Sequence, residues 1–420
     1  QELELTLTGK DCGLEERAPM CGVPHHAADT YIARLIEKGY KVAVCEQVED
    51  PKTAKGIVRR EVIRVVTPGT MIAQEELDET RNNYLMCVFR TGDDFGLSAA
   101  DISTGECLLS ETDSIGKLID EIQKFRPSEI LCSQSLLLSG IFSDDLKERL
   151  RFTLSVLEDR CFEETACEDI LKKHFRVSSM KALGLDVFSS GRIAAGAMFG
   201  YLYETQKTDL AQMVRIIPYF SDRFMVLDYT TRRNLELTET MREKQKKGSL
   251  LWVLDKTRTA MGARLLRKYL EQPLIRAEDI RARHEAVGEL LDHPMIRDEI
   301  REYLQPVYDL ERLASRIVYQ NANPRDLLAF RTSLDMLPFI RQLLSDASCP
   351  LLNRLYEEID EMQDVRQWIA DALQDDPPLA MHDGGILRDG YDEKVDSYRL
   401  AKKEGRSWLA AMEEEEREKT

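Results

Sequence analysis

Residues 84–132 leave a chain of this kind few folds to choose from. Three runs suited to strands, 84–90, 95–104 and 106–111, are separated only by the turn signals Gly92-Asp93 and Thr104-Gly105. Connections that short force neighbouring strands to lie antiparallel. Apolar residues at Ile115, Leu118, Ile119 and Ile122 then recur at helical spacing, and a short strand-like run, 129–132, follows. Three strands, a helix and a strand predict an α/β layer.

The flanking residues read differently. In 29–38, Ile32, Leu35 and Ile36 share a helical face, with Asp29 as candidate N-cap and Gly39 as the stop. Val42 and Val44 alternate, as do Val62 with Arg64 and Ile63 with Val65, so two strands follow, closed by Pro68-Gly69. Strict alternation puts Arg60 and Arg64 on one face, apart from Ile63 and Val65. From about Gly191 helices take over, with Ile193, Met198 and Leu202 on one stripe. In 250–274, Leu251, Leu254, Met261, Leu265, Leu266, Tyr269 and Leu270 recur at helical spacing, a pattern that predicts packing. Beyond Arg276 long amphipathic helices run to Thr420, with Asn323-Pro324 and Pro377-Pro378 as turns. The expected fold class is multidomain α/β plus all-α: an α/β module at 1–75, a second α/β layer at 76–190 and a helical region at 191–420.

A net charge of −17 argues against a protein that coats nucleic acid indiscriminately. It does not exclude a local basic face, because residues 17–70 carry nine Lys or Arg against six Asp or Glu, a balance of +3. Within that region Lys52, Lys55, Arg59, Arg60 and Arg64 form a basic run on a loop and strand, a pattern suited to neutralising phosphates. Gly22, Val23 and Pro24 form a tight loop before a helix. Such a loop brings backbone N–H groups close to a phosphate or groove edge, which makes Met20, His25 and His26 candidate contacts as well.

Nine cysteines with no C-x-x-C pair read as reduced thiols in a cytoplasmic protein. Cys12, Cys21, His25 and His26 match no common zinc-finger spacing, so no metal is expected. No run of 18 apolar residues exists, so no membrane partner is expected. The sequence Gly9-Lys10 is not a phosphate-binding loop, since Glu4 stands where its first glycine belongs. No signal peptide opens the chain, and both ends read as cuts through longer elements.

Three stretches carry a family resemblance. They are APMCGVPHHA at 18–27, continuing through DPKTAKGIVRREVIRVVTPGT at 50–70; TTRRNLELTETMREKQKKGSLLWVLDKTRTAMGARLLRKYLEQPL at 230–274; and HDGGILRDGYDEKVDSYR at 382–399. DLERLASRIVYQNANPRDL at 309–327 fits as well. Together they resemble the MutS family. The resemblance implies a truncated mismatch-binding domain, an RNase H-like connector, and an α-helical core with the start of the lever helices. It also implies binding of duplex DNA containing a mismatch or small loop, a homodimer, and a downstream partner of the MutL family. ATP and Mg belong to an ATPase domain expected beyond Thr420, and the aromatic wedge of the family is expected before Gln1. No cofactor or catalytic residue is then expected in the chain itself. Thr231, Asn234 and Glu236 become candidates for coupling between domains. The family often carries Tyr where His25 stands. One alternative is a metal-dependent nuclease built on Asp93, Asp94, Asp101 and Glu106, since chemistry of that kind needs several carboxylates around metal ions. Another is a family member acting in recombination.

Overall fold

The computed structural model describes residues 2–419 except 12, 14–16, 25–26, 50–57, 73–76 and 379–383. The chain divides into two compact units, 1–284 with 314–321, and 285–313 with 322–420.

The first unit opens on a short hairpin, β1 (Thr8–Lys10) and β2 (Ala18–Met20). Helix Ala28–Glu37 and the antiparallel pair β3 (Val42–Gln47) and β4 (Arg60–Val66) follow. Ala33 and Ile36 of the helix pack with Val66 and Met71 in a small core. No side chain caps this helix. Asp29, the expected cap, lies one position inside it, where a carboxylate complements the positive end of the helix dipole, and it binds Arg64 at 3.0 Å.

Strand β4 departs from strict alternation. Val44 pairs with Arg64 while Cys45 pairs with Val62, so Ile63 is an extra, unpaired residue. A β-bulge of this kind breaks the period of two. The expectation that Arg60 and Arg64 share a face fails for that reason. Val62 and Ile63 are both exposed, Arg60 is exposed, and Arg64 is half-buried against Asp29.

Six strands form the main sheet, in the order β10-β7-β6-β5-β8-β9. Strands β5 (Leu85–Thr91), β6 (Asp94–Asp101) and β7 (Glu106–Thr112) make the expected antiparallel meander. Strands β8 (Glu129–Ser133) and β9 (Thr153–Leu157) add in parallel on one side, and the two-residue β10 (Ile217–Pro218) pairs in parallel with β7 on the other. Both faces are covered. Leu85, Cys87, Leu109 and Leu131 pack under helix Ser190–Gln206, while Met86, Val88, Ile130 and Cys132 pack with Leu118 and Ile122 of helix Ile115–Phe125. Each such aliphatic side chain, taken fully out of water, contributes about 1.5–3 kcal/mol.

The long helix sits very close to the sheet on one side and to helix Glu164–Phe175 on the other. A Cβ on Gly96 would lie 2.1 Å from the Ser190 backbone, and one on Gly196 would lie 2.5 Å from the Cα of Cys167. Glycine at both positions lets backbone meet backbone. At the first residue of β8, Glu129 is fully buried. Its carboxylate accepts from the hydroxyls of Thr67, Ser155 and Tyr201 and from the Gly69 N–H at 3.1 Å, with the Lys41 ammonium 3.7 Å away. It thereby ties the end of the small β3–β4 module to the sheet.

Residues 229–271 add helices Tyr229–Asn234, Leu250–Leu254 and Ala260–Glu271 to the first unit. The apolar stripe expected to pack does so only in part. Leu251 is buried, but Leu254, Leu265 and Tyr269 are exposed, and helix Ala260–Glu271 buries Arg264 and Arg267 instead. The cause is the surface it meets, where Glu106 receives Lys268 at 2.6 Å and the Glu79 carbonyl receives Arg264 at 3.0 Å.

The second unit is helical. Helices Pro294–Leu304, Pro324–Leu343, Pro350–Glu358, Gln363–Ala372 and Glu393–Lys419 lie within it. Asn323 and Asp326 form a reciprocal capping box that starts Pro324–Leu343. Ala286, Leu344, Cys349 and Leu352 make a small core, and Glu289 accepts the N–H groups of Ser348 and Cys349, both at 2.7 Å. Among the described residues, no helix is long and apolar enough to cross a membrane.

Candidate nucleic-acid interface

The loop candidates lie on an exposed surface. Met20 ends β2, its carbonyl accepting the Thr8 hydroxyl at 2.8 Å and its side chain exposed, and Val23 is exposed after it. Gly22 is exposed, with nothing near a Cβ placed there. Pro24 shapes the turn into the helix, since its carbonyl accepts the Ala27 N–H at 3.0 Å. His25 and His26 lie outside the described residues, as do Lys52 and Lys55.

The three arginines of the basic run differ in what holds them. Arg59 pairs with Glu61 at the surface, and its backbone N–H donates to Glu49 at 3.2 Å. An ion pair this exposed contributes only about 0–1 kcal/mol, so a phosphate can replace Glu61 at little cost. Arg60 makes no ion pair among the described residues. Arg64 is the most enclosed, and its bond to Asp29 joins β4 to the helix. The bulge thus leaves Arg59 and Arg60 available to an anion and commits Arg64 to the fold.

Thr231 and Asn234 lie in the short helix Tyr229–Asn234 and Glu236 just beyond it. The Thr231 N–H donates to Asp228 at 2.7 Å. Thr231, through its hydroxyl and its N–H, holds the Asp228 carboxyl below the usual range. Asn234 is exposed, and Glu236, with φ +47°, accepts from the Met241 N–H at 2.6 Å. Other residues cross to helix Ile115–Phe125 and to β7. Arg232 donates to the Asp120 carbonyl at 3.3 Å, Arg126 pairs with Glu239 at 2.9 Å, and Lys268 pairs with Glu106. Burial pushes Glu239 up, but Arg126 and Arg81 outweigh it and hold the carboxyl low. The sequence signal for this junction was the cationic stripe of Arg264, Arg267 and Lys268 at helical spacing, beside the apolar one.

Three of the four carboxylates considered for a nuclease have partners of their own, and Asp94 is exposed at the start of β6. Asp101 accepts from the Asn83 N–H at 3.0 Å, the Ser103 N–H at 2.9 Å and the Ser103 hydroxyl at 2.7 Å, which fixes the turn after β6. Glu106 accepts from Tyr84 at 2.6 Å and from Lys268, and Asp93 lies near Arg90 at the surface. Among the described residues, no group of three His, Cys, Asp or Glu is placed to hold a metal ion.

Comparison with known proteins covers the whole chain. Three family models match in order: MutS domain I over residues 1–75, MutS domain II over 83–213 and MutS domain III over 230–419. Relatives named DNA mismatch repair protein MutS include one from Lachnoclostridium phytofermentans, 53% identical over all of this chain and 45% of its own length. Those from Acetivibrio thermocellus and Ruminiclostridium cellulolyticum are each 48% identical over all of this chain and 48% of their own lengths. The chain therefore spans about half the length of the curated relatives it matches. With three domain models matched in sequence and identity near one half from end to end, the chain belongs to the MutS family.

Proposed function

We propose that this chain supplies modules of a protein that binds mispaired or unpaired bases in duplex DNA and so starts mismatch repair. The ordered match to three MutS domains carries the reading. In it, residues 1–75 are the C-terminal part of the mismatch-binding domain and 76–190 an RNase H-like connector. Residues 191–420 are the helical core and the start of the lever. The exposed Arg59 and Arg60, with Lys52 and Lys55, neutralise DNA phosphates. The Met20–His26 loop lies along the duplex, and Thr231, Asn234 and Glu236 line the route between domains. ATP and Mg act in the part of the relatives that this chain does not span. The whole protein works as a homodimer with a MutL-family partner.

The test is a titration of the chain with duplex DNA at several salt concentrations. Removing one cation that neutralises a phosphate flattens the log–log salt dependence by about one unit. Arg59→Glu with Arg60→Glu is expected to weaken binding to matched and mismatched duplexes alike and to flatten the slope by about two units. An unchanged slope would remove these residues from the interface.

A further inference from the structure

Helix Leu250–Leu254 is apolar at all five positions, yet only Leu251 is buried. Leu250, Trp252, Val253 and Leu254 are exposed, Trp252 at 48% and Val253 at 57%. Successive residues turn by about 100°, so these four spread over the directions that Leu251 does not take. A helix apolar all round belongs in a protein interior. We propose that this surface, residues 235–258, docks an acidic amphipathic helix supplied by the part of the relatives' length that this chain does not span.

Three observations carry this. The first is order. The Glu236 carbonyl accepts the Leu250 N–H at 3.0 Å, and the Leu237 carbonyl accepts the Leu251 N–H at 2.8 Å. The Glu236 carboxylate accepts the Met241 N–H at 2.6 Å, and Ser249 caps the helix through the Trp252 N–H at 3.3 Å. The exposed side chains, Met241 among them, therefore stand on a fixed base, which lowers the cost of ordering them under a partner. The second is charge. Residues 235–258 carry six cations and four carboxylates. Lys246 pairs with Asp255, and Glu239 pairs with Arg126. Arg242, Lys244, Lys247, Lys256 and Arg258 are exposed and make no ion pair among the described residues, against Glu243 and the already bonded Glu236. An apolar centre with a positive rim fits a helix that is apolar on one face and acidic along its edges. Duplex DNA fits poorly, because Leu250, Val253 and Leu254 offer its phosphates nothing. The third is length. The relatives from Lachnoclostridium phytofermentans and Acetivibrio thermocellus match this chain over 45% and 48% of their own lengths, so more than half of each lies outside the match. A segment of the same polypeptide meets this surface at a high effective concentration, which favours it over a separate protein.

This rests on family membership and not on the DNA reading, and the first comparison uses no DNA. Hydroxyl-radical footprinting, read by mass spectrometry, compares the 420-residue chain with a longer protein that contains it and has the relatives' full length. Trp252 and Met241 are expected to be labelled at least tenfold more slowly in the longer protein. A zero-length carbodiimide is expected to join Lys244, Lys247 or Lys256 to Asp or Glu of the added part. Trp252→Glu is expected to lower the unfolding temperature of the longer protein more than that of the chain, because only there does the side chain lose a covered contact. Equal labelling of the two proteins, or equal shifts in unfolding temperature, would overturn the proposal. So would protection without any such cross-link, since the cover would then not be acidic. Cross-links that join heavy to light copies in an isotopic mixture would assign the surface to self-association instead. Protection that appears only when duplex DNA is added would assign it to DNA.

Discussion

The phenol of Tyr201 donates a 2.9 Å hydrogen bond to the buried carboxylate of Glu129, linking the long helix to the first residue of β8. The same carboxylate collects Thr67 and Gly69 from the end of the small module. Burial and the neighbouring Glu129 push the Tyr201 hydroxyl well up, so it stays a donor at any ordinary pH. Tyr201→Phe deletes one bond to a charged group and is expected to lower stability by about 1–2 kcal/mol in urea unfolding. Glu129→Leu strands the Thr67 and Ser155 hydroxyls as well and is expected to cost about 3 kcal/mol or more. Equal, small effects would show that the cluster does not hold the module.

Gly96 tests the packing of the long helix. A methyl there would overlap the backbone of Ser190, which belongs to a helix buried along most of its length. Overpacking of this kind costs about 1–3 kcal/mol, and backbone yields less readily than a side chain. Gly96→Ala is expected at or above the upper end of that range. Gly116→Ala, on an exposed helix face with nothing within 4 Å, serves as the control and is expected to be neutral or stabilising. Thermal unfolding of the two variants decides the matter.

Acidification is expected to weaken the fold through His174. Its Nδ1 meets the Tyr203 hydroxyl at 2.6 Å, its Nε2 meets the Met213 carbonyl at 2.8 Å, and Phe175 and Phe199 crowd the ring. Burial pushes its pKa down in the folded state. The unfolded chain therefore binds a proton first. The contribution is fully present above the unfolded value of about 6.5 and is lost as pH falls through the lowered folded value. Stability measured from about pH 7.5 down to about pH 5 should fall, and His174→Phe should fall less steeply. A variant with the same slope as the parent would assign the acid sensitivity to other groups.

Thiol reactivity should separate the cysteines cleanly. Cys21 and Cys45 are exposed, whereas Cys87, Cys107, Cys132 and Cys167 are buried. Burial pushes Cys107 and Cys167 up to about 12 and Cys132 up to about 11, so thiolate is scarce as well as enclosed. With a disulfide reagent at about pH 8, mass spectrometry of the native chain is expected to find label on Cys21 and Cys45 within minutes. Label on Cys87, Cys107, Cys132, Cys167 and the likewise buried Cys349 is expected only after denaturant is added. Rapid native labelling of Cys87 or Cys107 would mean that the sheet opens.

The meander was legible because Gly92 and Gly105 mark its turns and because β5 to β7 are rich in apolar residues. The outer strands were not. β9 carries Ser155, whose hydroxyl goes to Glu129, and β10 is two residues long and contains Pro218, which a sheet tolerates only at its edge. Neither has a local signature, because each is held by its neighbour. The bulge at Ile63 was invisible for a related reason: an alternating sequence does not say where the partner strand skips a residue. In 260–271 a leucine stripe and a cationic stripe run side by side, and composition favours burying the first. The structure buries the second, because the acidic edge of the sheet domain lies opposite it. Which face a helix hides depends on the surface it meets, and that surface is folded from residues more than a hundred positions away.

Glu129 also decides how tension would travel. It opens β8, which has β5 on one side and β9 on the other. A tug on residues 1–75 enters the sheet between two hydrogen-bonded ladders, where neighbouring strands must slide together. It cannot unzip them one bond at a time. The cluster around the carboxylate and the bond from Gln206 to the Val65 carbonyl are point contacts rather than a ladder, so they are expected to yield first. Under load the small module is then expected to part from the sheet while the sheet keeps its pairing.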